Sequence, residues 1–236
     1  MSPVAETIEV ASRFNGPRDS GNGGYSGGLL AARLGGPVEV SLRSPVPLDR
    51  PLDLVGEEEG SLRLLDGETL VAEAHSLPPF DLAVPSPVSL DEARAAAANY
   101  RGRDDGPFSH CFVCGRARED SFHVFAGQVE GRDLVATPWT PPAWTAGDDG
   151  AVAPEFVWAA LDCPTYFACH LEGELSLSFL VRQRAELREP VQAEEDCVVM
   201  AWPIELDGRK RLAGAAVLSA RGETLALAEV LLVEPR

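Results

Sequence analysis

The most apolar stretch of this chain carries a carboxylate, Asp162, in its middle. The stretch covers residues 154–170, which read PEFVWAALDCPTYFACH. Apolar residues recur there at three- and four-residue spacing, which predicts a buried helix with a sheet packed around it. A buried carboxylate at this position can act as a functional acid or base. Because Pro164 is expected to kink or restart the helix near Cys163, Asp162 is equally well explained as the cap of a second helical piece.

A second group of reactive residues is the segment His110-Cys111-Phe-Val-Cys114-Gly115, with His123 nearby. A Cys-x-x-Cys pair followed by glycine is the knuckle of many zinc sites, and His123 can supply a third ligand. A fourth ligand is missing unless His110 or a distant cysteine provides it. A redox pair is disfavoured because no thioredoxin-like βαβ pattern surrounds it. Buried free thiols are the simpler interpretation, so no metal and no cofactor are expected, with Cys111, Cys114 and His123 kept as metal candidates.

Glycines dominate residues 15–36, which read NGPRDSGNGGYSGGLLAARLGG. Glycines at this density let the backbone approach a ligand or a neighbouring strand closely. The segment contains neither GxGxxG nor GxxxxGK[ST], which disfavours nucleotide binding. A short helix is predicted over LLAARL, ended by the glycine pair at 35 and 36.

The overall composition is that of a globular protein. The chain has 236 residues, of which 45% are hydrophobic, and a formal net charge of −17. That charge argues against a nucleic-acid partner, which requires a concentrated basic surface. No apolar run is long enough to span a membrane, and the N-terminus lacks the features of a signal peptide, so a cytoplasmic protein is expected. The 5 cysteines are an odd number and form no disulfide framework, so reduced thiols are expected. The compact basic run Arg209-Lys210-Arg211 falls at a predicted hairpin turn.

The strand and turn signals divide the chain into two units. Residues 6–14 predict a first strand, and residues 38–76 predict three more, with a hairpin turn at Asp66-Gly67. The proline-rich stretch 77–108 is predicted to be a linker, in which Ser89 and Glu92 form the capping box of a short helix. The first unit is therefore assigned to 1–76 and the second to 109–236. The second unit is predicted to contain strands at 122–126 and 134–137, the apolar helix, and then four strand-like runs.

The two units repeat one plan. The tetrapeptide GETL occurs at 67–70 and again at 222–225, each time at the last predicted strand of its unit. A helix behind a glycine- or proline-rich loop, a proline-valine pair and a hairpin precede it in both halves. The repeat predicts two copies of a strand–helix–antiparallel-sheet unit packed as a pseudo-dimer, an α+β architecture.

With these features the sequence resembles the double-hotdog thioesterase-like proteins related to acyl-CoA thioesterase II. The residues that carry the resemblance are WAALDC in the apolar helix, FNGPRDSGNGGYSGGLLAARL in the first half and DGRKRLAGAAVLSARGETLALAEV near the end. The resemblance implies two tandem hotdog units, each an antiparallel sheet wrapped around a central helix. It also implies acyl-thioester chemistry, with the acyl chain and the pantetheine arm between the units.

The resemblance further implies a catalytic set. In that family an aspartate on the second-half helix orients the attacking water, together with a hydroxyl on the next strand and a glutamine on the last strand. Asp162 matches the aspartate, and Ser176 and Ser178 are the nearest hydroxyls, with Ser178 assigned to the site. Glu229 stands where the glutamine is expected, and two carboxylates close together would raise the pKa of one of them. Glu229 is equally open to interpretation as a solvated strand residue outside the site.

Substrate binding is predicted from the remaining polar and aromatic candidates. Side chains near the start of the first helix, together with backbone N–H groups, are expected to hold the thioester carbonyl, although turn-forming residues would look the same. The basic run is expected to meet coenzyme A phosphates, and a tryptophan to wall the acyl pocket. The predicted binding residues are Asn15, Ser20, Asn22, Tyr25, Trp158, Arg209, Lys210 and Arg211.

The sequence thus favours an acyl-CoA thioesterase-like hydrolase that uses carboxylate-activated water. The alternative is a non-catalytic protein that binds acyl-CoA or a hydrophobic ligand on the same scaffold. A hotdog dehydratase ranks last, because only His170 lies on the central apolar element. The expected partner is an acyl-CoA or acyl-carrier thioester, coenzyme A enters only as part of the substrate, and a homodimer is possible.

Overall fold

The computed structural model describes residues 6–56 and 59–236. Expectations that fall on residues 1–5 or on Glu57 and Glu58 lie outside the described residues. The described helices are α1 (Gly23–Leu34), α2 (Leu90–Ala97) and α3 (Pro154–Ala168). The described strands are β1 (Glu6–Glu9), β2 (Val38–Leu42), β3 (Pro51–Gly56), β4 (Ser61–Asp66), β5 (Thr69–Ser76), β6 (Gly127–Gln128), β7 (Val135–Trp139), β8 (Phe179–Leu187), β9 (Cys197–Asp207), β10 (Lys210–Ser219) and β11 (Thr224–Val233).

All described strands join one antiparallel sheet of 11 strands in the order β1-β3-β4-β5-β2-β8-β11-β10-β9-β7-β6. The two halves of this order run outward from the central pair β2–β8 with the same connectivity. β2, β5, β4, β3 and β1 of the first unit correspond to β8, β11, β10, β9 and β7 of the second. The GETL tetrapeptides occupy equivalent hairpins, at the start of β5 and of β11. The predicted repeat is therefore a structural repeat, and the fold is α+β, a double hotdog.

The two units share a continuous sheet. β2 pairs with β8 over four residue pairs, from Val38 with Ala185 to Ser41 with Arg182. Because strand side chains alternate between faces, one face of the sheet contacts α1 and α3. Part of the other face, on the strands of the second unit, is covered by α2 and the linker. A single large apolar core between the sheet and the two long helices follows from this pairing.

Glycines let α1 and α3 pack with their backbones in contact. A Cβ atom at Gly24 would lie 2.6 Å from the Trp158 carbonyl oxygen, and one at Gly28 would lie 2.3 Å from the Cα of Glu155. Each glycine costs a helix about 1 kcal/mol relative to alanine, a cost that the close packing offsets. The glycine-rich segment predicted to be a loop before a short helix is therefore mostly helix, and what it approaches is α3.

Several predicted elements are corrected by the structure. No strand covers 122–126, and the first strand of the second unit is the two-residue β6. Residues 12–14 of the predicted first strand form a 3-10 helix. The helix α3 continues through Pro164 without interruption, so Asp162 does not cap a second helical piece. Within residues 6–56 and 59–236, no helix combines the length and the apolar composition needed to cross a membrane.

Candidate active site

A cavity of about 520 Å³ opens between the N-terminus of α1 and the C-terminal half of α3. Its walls come from both units, because the glycine-rich turn and β2 meet α3 and the start of β8 there. Asp162, Cys163, Tyr166 and Phe167 recur at the spacing of one helical face and form the α3 side of the cavity. The remaining lining is mainly apolar and includes Leu42, Pro45, Val46, Phe108, Phe179, Leu180, Val181 and Leu232. The lining is therefore suited to an apolar ligand with one polar end.

Asp162 is the buried carboxylate of this cavity. Its side chain is 8% exposed, and Oδ2 accepts a hydrogen bond of 3.0 Å from the backbone N–H of Gly24. Burial raises the pKa of Asp162 to about 7, against the lowering effect of the Gly24 hydrogen bond; the charge of Cys111 adds to the rise. A carboxyl group with a pKa near neutrality can both accept and return a proton, as general catalysis requires.

The N-terminus of α1 faces the same cavity. Asn22 is the N-cap residue, and its Oδ1 accepts a hydrogen bond of 2.8 Å from the N–H of Tyr25. Gly24 donates to Asp162, whereas the N–H of Gly23 has no acceptor among the described residues. The positive end of the helix dipole adds to this free donor. Gly23 lines the cavity, so this N–H can stabilise a negatively charged oxygen there.

Ser178 provides a hydroxyl in the cavity wall. The residue is 2% exposed, and its Oγ has no hydrogen-bond partner within the described structure. Ser176, the other candidate, lies elsewhere: its Oγ donates to Glu234 at 2.6 Å and lies 2.7 Å from Nε2 of His170. Ser178 and Asp162 thus line the same cavity, and the assignment of Ser178 to the site stays a prediction.

Glu229 does not lie beside Asp162, which excludes a carboxylate pair and leaves the alternative of a strand residue outside the site. In β11 the buried neighbours Ala228 and Val230 face the core that contains α3, so Glu229 faces the opposite side of the sheet. Its carboxylate forms an ion pair of 2.8 Å with Arg184. The raised pKa of Asp162 therefore comes from burial and not from a second carboxylate.

The Cys-x-x-Cys pair lies in the cavity wall together with a third thiol. The Sγ atoms of Cys111, Cys114 and Cys163 all lie within 4.8 Å of one another, and those of Cys111 and Cys163 are 3.7 Å apart. Hydrogen bonds with Cys114 and then Cys163 hold the pKa of Cys111 well below its usual value. Hydrogen bonds with Cys111 and then Cys114 raise the pKa of the Cys163 thiol. His123 is exposed and is not part of the cluster, so the predicted third metal candidate is wrong.

The predicted binding residues separate into two groups. Ser20 and Asn22 line the cavity. Asn15 instead binds the loop carbonyls of Gly16 and Pro17. Tyr25 stacks on Phe14 with ring centroids 4.4 Å apart. Trp158 is buried against α1 in the core, so none of these three residues belongs to the lining.

The basic run is also outside the cavity lining. Arg211 forms an ion pair of 2.7 Å with Glu234, and Arg209 donates to the Glu234 carbonyl oxygen. The arginine that does line the cavity is Arg43, whose guanidinium pairs with Glu73 at the rim. Sequence reasoning missed Arg43 and Cys163. Only the position of Cys163 beside Asp162 on a predicted buried helix could have signalled it.

No family model matches the sequence, and no curated protein does. Solved structures match along nearly the whole chain. A candidate thioesterase from Novosphingobium aromaticivorans is 12% identical with a TM-score of 0.64, over 98% of this chain and 95% of that one. A hot dog fold protein of unknown function from Alicyclobacillus acidocaldarius is 12% identical with a TM-score of 0.61, over 100% and 95%.

A pyran synthase domain from module nine of the sorangicin pathway is 14% identical with a TM-score of 0.62, over 98% of this chain and 92% of that one. At identities this low the likeness concerns the fold, and proteins with different reactions share it. The fold implied by the resemblance is confirmed: the chain has a double-hotdog fold.

Proposed function

We propose that this chain hydrolyses an acyl thioester, with Asp162 as the general base for the attacking water. The observation that carries the proposal is the position of the buried Asp162 carboxylate in the wall of an apolar cavity, next to the free N–H of Gly23. The apolar walls suit an acyl chain, and the N-terminus of α1 suits the thioester carbonyl oxygen.

The proposed reaction uses three groups of the cavity. A water molecule between Asp162 and Ser178 attacks the thioester carbonyl carbon while Asp162 takes one of its protons. The carbonyl oxygen becomes negative and accepts a hydrogen bond from Gly23 N–H. When the C–S bond breaks, the oxygen reforms its double bond and Asp162 returns the proton to the leaving thiolate. The products are a carboxylic acid and a thiol.

A binding protein without catalysis is the alternative on the same cavity. The cavity would then hold the acyl chain, and Asp162 would serve only to join α1 to α3. A dehydratase is less well supported, because no histidine is among the described lining residues. His170 lies beyond the end of α3, where its Nδ1 donates to the Tyr166 carbonyl oxygen.

The test compares the parent protein with Asp162→Asn, because an asparagine oxygen can still accept the Gly24 N–H and keep the helices joined. Release of free thiol is measured with short, long and aromatic acyl-CoA esters. Turnover in the parent and a loss of at least about 100-fold in the variant are expected. Binding of a non-hydrolysable thioether analogue should be unchanged. Absence of turnover with every ester, despite analogue binding, would instead support the binding protein.

A further inference from the structure

We propose that Cys111, Cys114 and Cys163 bind one zinc ion, with the fourth coordination position directed into the cavity. The proposal goes beyond the hydrolysis proposed above and does not depend on it. It replaces the expectation, drawn from the sequence, that no metal is bound and that His123 is the third candidate.

The geometry of the sulfur atoms fits a tetrahedral ion. With Zn–S bonds of about 2.3 Å, two ligands of a tetrahedron lie about 3.8 Å apart. The Sγ atoms of Cys111 and Cys163 are 3.7 Å apart, and Cys114 Sγ lies within 4.8 Å of both. The thiols therefore need only small rotations to surround one ion.

The type of donor selects the metal. Three thiols with no carboxylate in the group suit a thiophilic ion such as Zn²⁺ and not the oxygen-binding Mg²⁺ or Ca²⁺. Among the described residues no further His, Cys, Asp or Glu completes the group, and all three cysteines line the cavity. The fourth ligand must then come from the cavity itself, as a water molecule or a small thiol.

Polar groups around the sulfurs are placed as a supporting shell for such an ion. Nδ2 of Asn22 donates to Cys111 Sγ at 3.8 Å and to Cys163 Sγ at 3.7 Å, which stabilises negative sulfur. The hydroxyl of Tyr100 donates to the Cys114 carbonyl oxygen at 2.5 Å. This hydrogen bond fixes the turn over residues 111–115, which carries Cys111 and Cys114. A Cβ at Gly115 would lie 2.5 Å from the Cys111 carbonyl oxygen, so the turn requires glycine at that position.

The first test uses the intact parent protein, reduced and stripped of metal. It is titrated with Co²⁺, whose absorption reports sulfur ligation and tetrahedral geometry, and then with Zn²⁺. We expect saturation at about one Co²⁺ per chain, a sulfur-to-cobalt charge-transfer band, and loss of that band as Zn²⁺ displaces Co²⁺. Absence of a charge-transfer band in the reduced protein would overturn the proposal. A Cys111–Cys163 or Cys111–Cys114 disulfide whose reduction yields no metal binding would do the same.

Variants locate the ion. Cys114→Ser and Cys163→Ser should abolish the charge-transfer band, whereas Cys197→Ser, which removes a buried thiol outside the cluster, should retain it. Asn22→Ser keeps a good helix cap but removes the amide donors, so it should weaken Zn²⁺ binding by about 10- to 100-fold. Circular dichroism checks that each variant is folded. Full retention of the band in folded Cys163→Ser would contradict the assignment.

Discussion

The carboxylate of Asp162 in the second unit accepts a hydrogen bond of 3.0 Å from the backbone N–H of Gly24, in the first turn of the helix of the first unit. One side chain therefore joins the two units at the cavity. The same contact places the acid beside a helix N-terminus, where a negative oxygen is stabilised. The two units thus line one cavity together, and the second unit contributes its buried carboxylate.

Ser178 and Ser176 form a matched pair for testing the composition of the site. Ser178→Ala removes the unpartnered hydroxyl of the cavity. It should lower kcat/KM by at least about 10-fold, because in the proposed reaction the attacking water is then oriented by Asp162 alone. Ser176→Ala removes a hydroxyl that contacts Glu234 and His170 and should leave turnover unchanged. Steady-state kinetics of both variants decide the matter. Equal losses would show that the hydroxyl next to the water has been misidentified.

Gly28 tests the close packing of α1 on α3. Gly28→Ala should gain about 1 kcal/mol of helix propensity, but its new methyl group meets the Glu155 backbone at 2.3 Å, which cannot move aside. We expect a net loss of about 1–3 kcal/mol in the free energy of unfolding, measured with urea. Gly56→Ala is the control, since a Cβ there has no heavy atom of the described, non-neighbouring residues within 4 Å. If Gly28→Ala were as stable as the parent protein, α1 and α3 would be able to move apart at this contact without a loss of stability.

The sequence predicts the repeat, the order of the elements and the helix that carries Asp162, because these depend on local patterns. It does not predict that Gly24 contacts Asp162, since the two residues are 138 positions apart and meet only when the units pack. Glu229 was misplaced for a simpler reason: a one-residue error in a strand moves a side chain to the other face of the sheet. Because strand side chains alternate between the two faces, Glu229 and the buried Val230 next to it lie on opposite faces of the sheet.

Only part of the thiol cluster can be predicted from the sequence, because local spacing is readable and contacts between distant residues are not. Cys111 and Cys114 are recognisable from their spacing, but Cys163 is 49 positions beyond Cys114. Its contact with them depends on how the loop before β6 folds against α3. Helical spacing then explains why Asp162 and Cys163 both reach the cavity, as adjacent residues on one side of α3.

Tyr25 gives the folding stability a pH dependence. Burial raises the pKa of Tyr25 to about 12, and the nearby Glu155 adds to the rise while Arg13 opposes it. In the unfolded chain the pKa is about 10. Above that value the unfolded chain loses the proton while the folded protein keeps it, so the free energy of unfolding falls as the pH rises; below it Tyr25 contributes no slope.

Tyr25→Phe removes this contribution. The free energies of unfolding of parent and variant, measured with urea, should differ by a constant amount up to about pH 10, and by about pH 11 the parent should lose about 1 kcal/mol relative to the variant. The raised pKa of Tyr100 is common to both proteins and cancels in the comparison. Parallel curves up to pH 11 would show that the Tyr25 hydroxyl is not shielded from water in the folded protein.

Arg43 is expected to meet the charged end of the substrate if coenzyme A is the thiol carrier. It lines the cavity at its rim, its side chain is 52% exposed, and the guanidinium can bind phosphate oxygens in pairs. Arg43→Ala should therefore raise KM for acyl-CoA by about 10-fold, which corresponds to the free energy of one hydrogen bond to a charged group. It should leave KM unchanged for the same acyl group on N-acetylcysteamine, which has no phosphate.

Lys210→Ala is the control for that measurement, because it removes a positive charge from the β9–β10 hairpin, which does not line the cavity. Glu73→Gln frees Arg43 from its ion pair and should lower KM for acyl-CoA, and added salt should weaken the effect. A raised KM in Lys210→Ala with no change in Arg43→Ala would restore the basic hairpin as the phosphate site. No phosphate dependence in either variant would indicate that the acyl group arrives on another carrier.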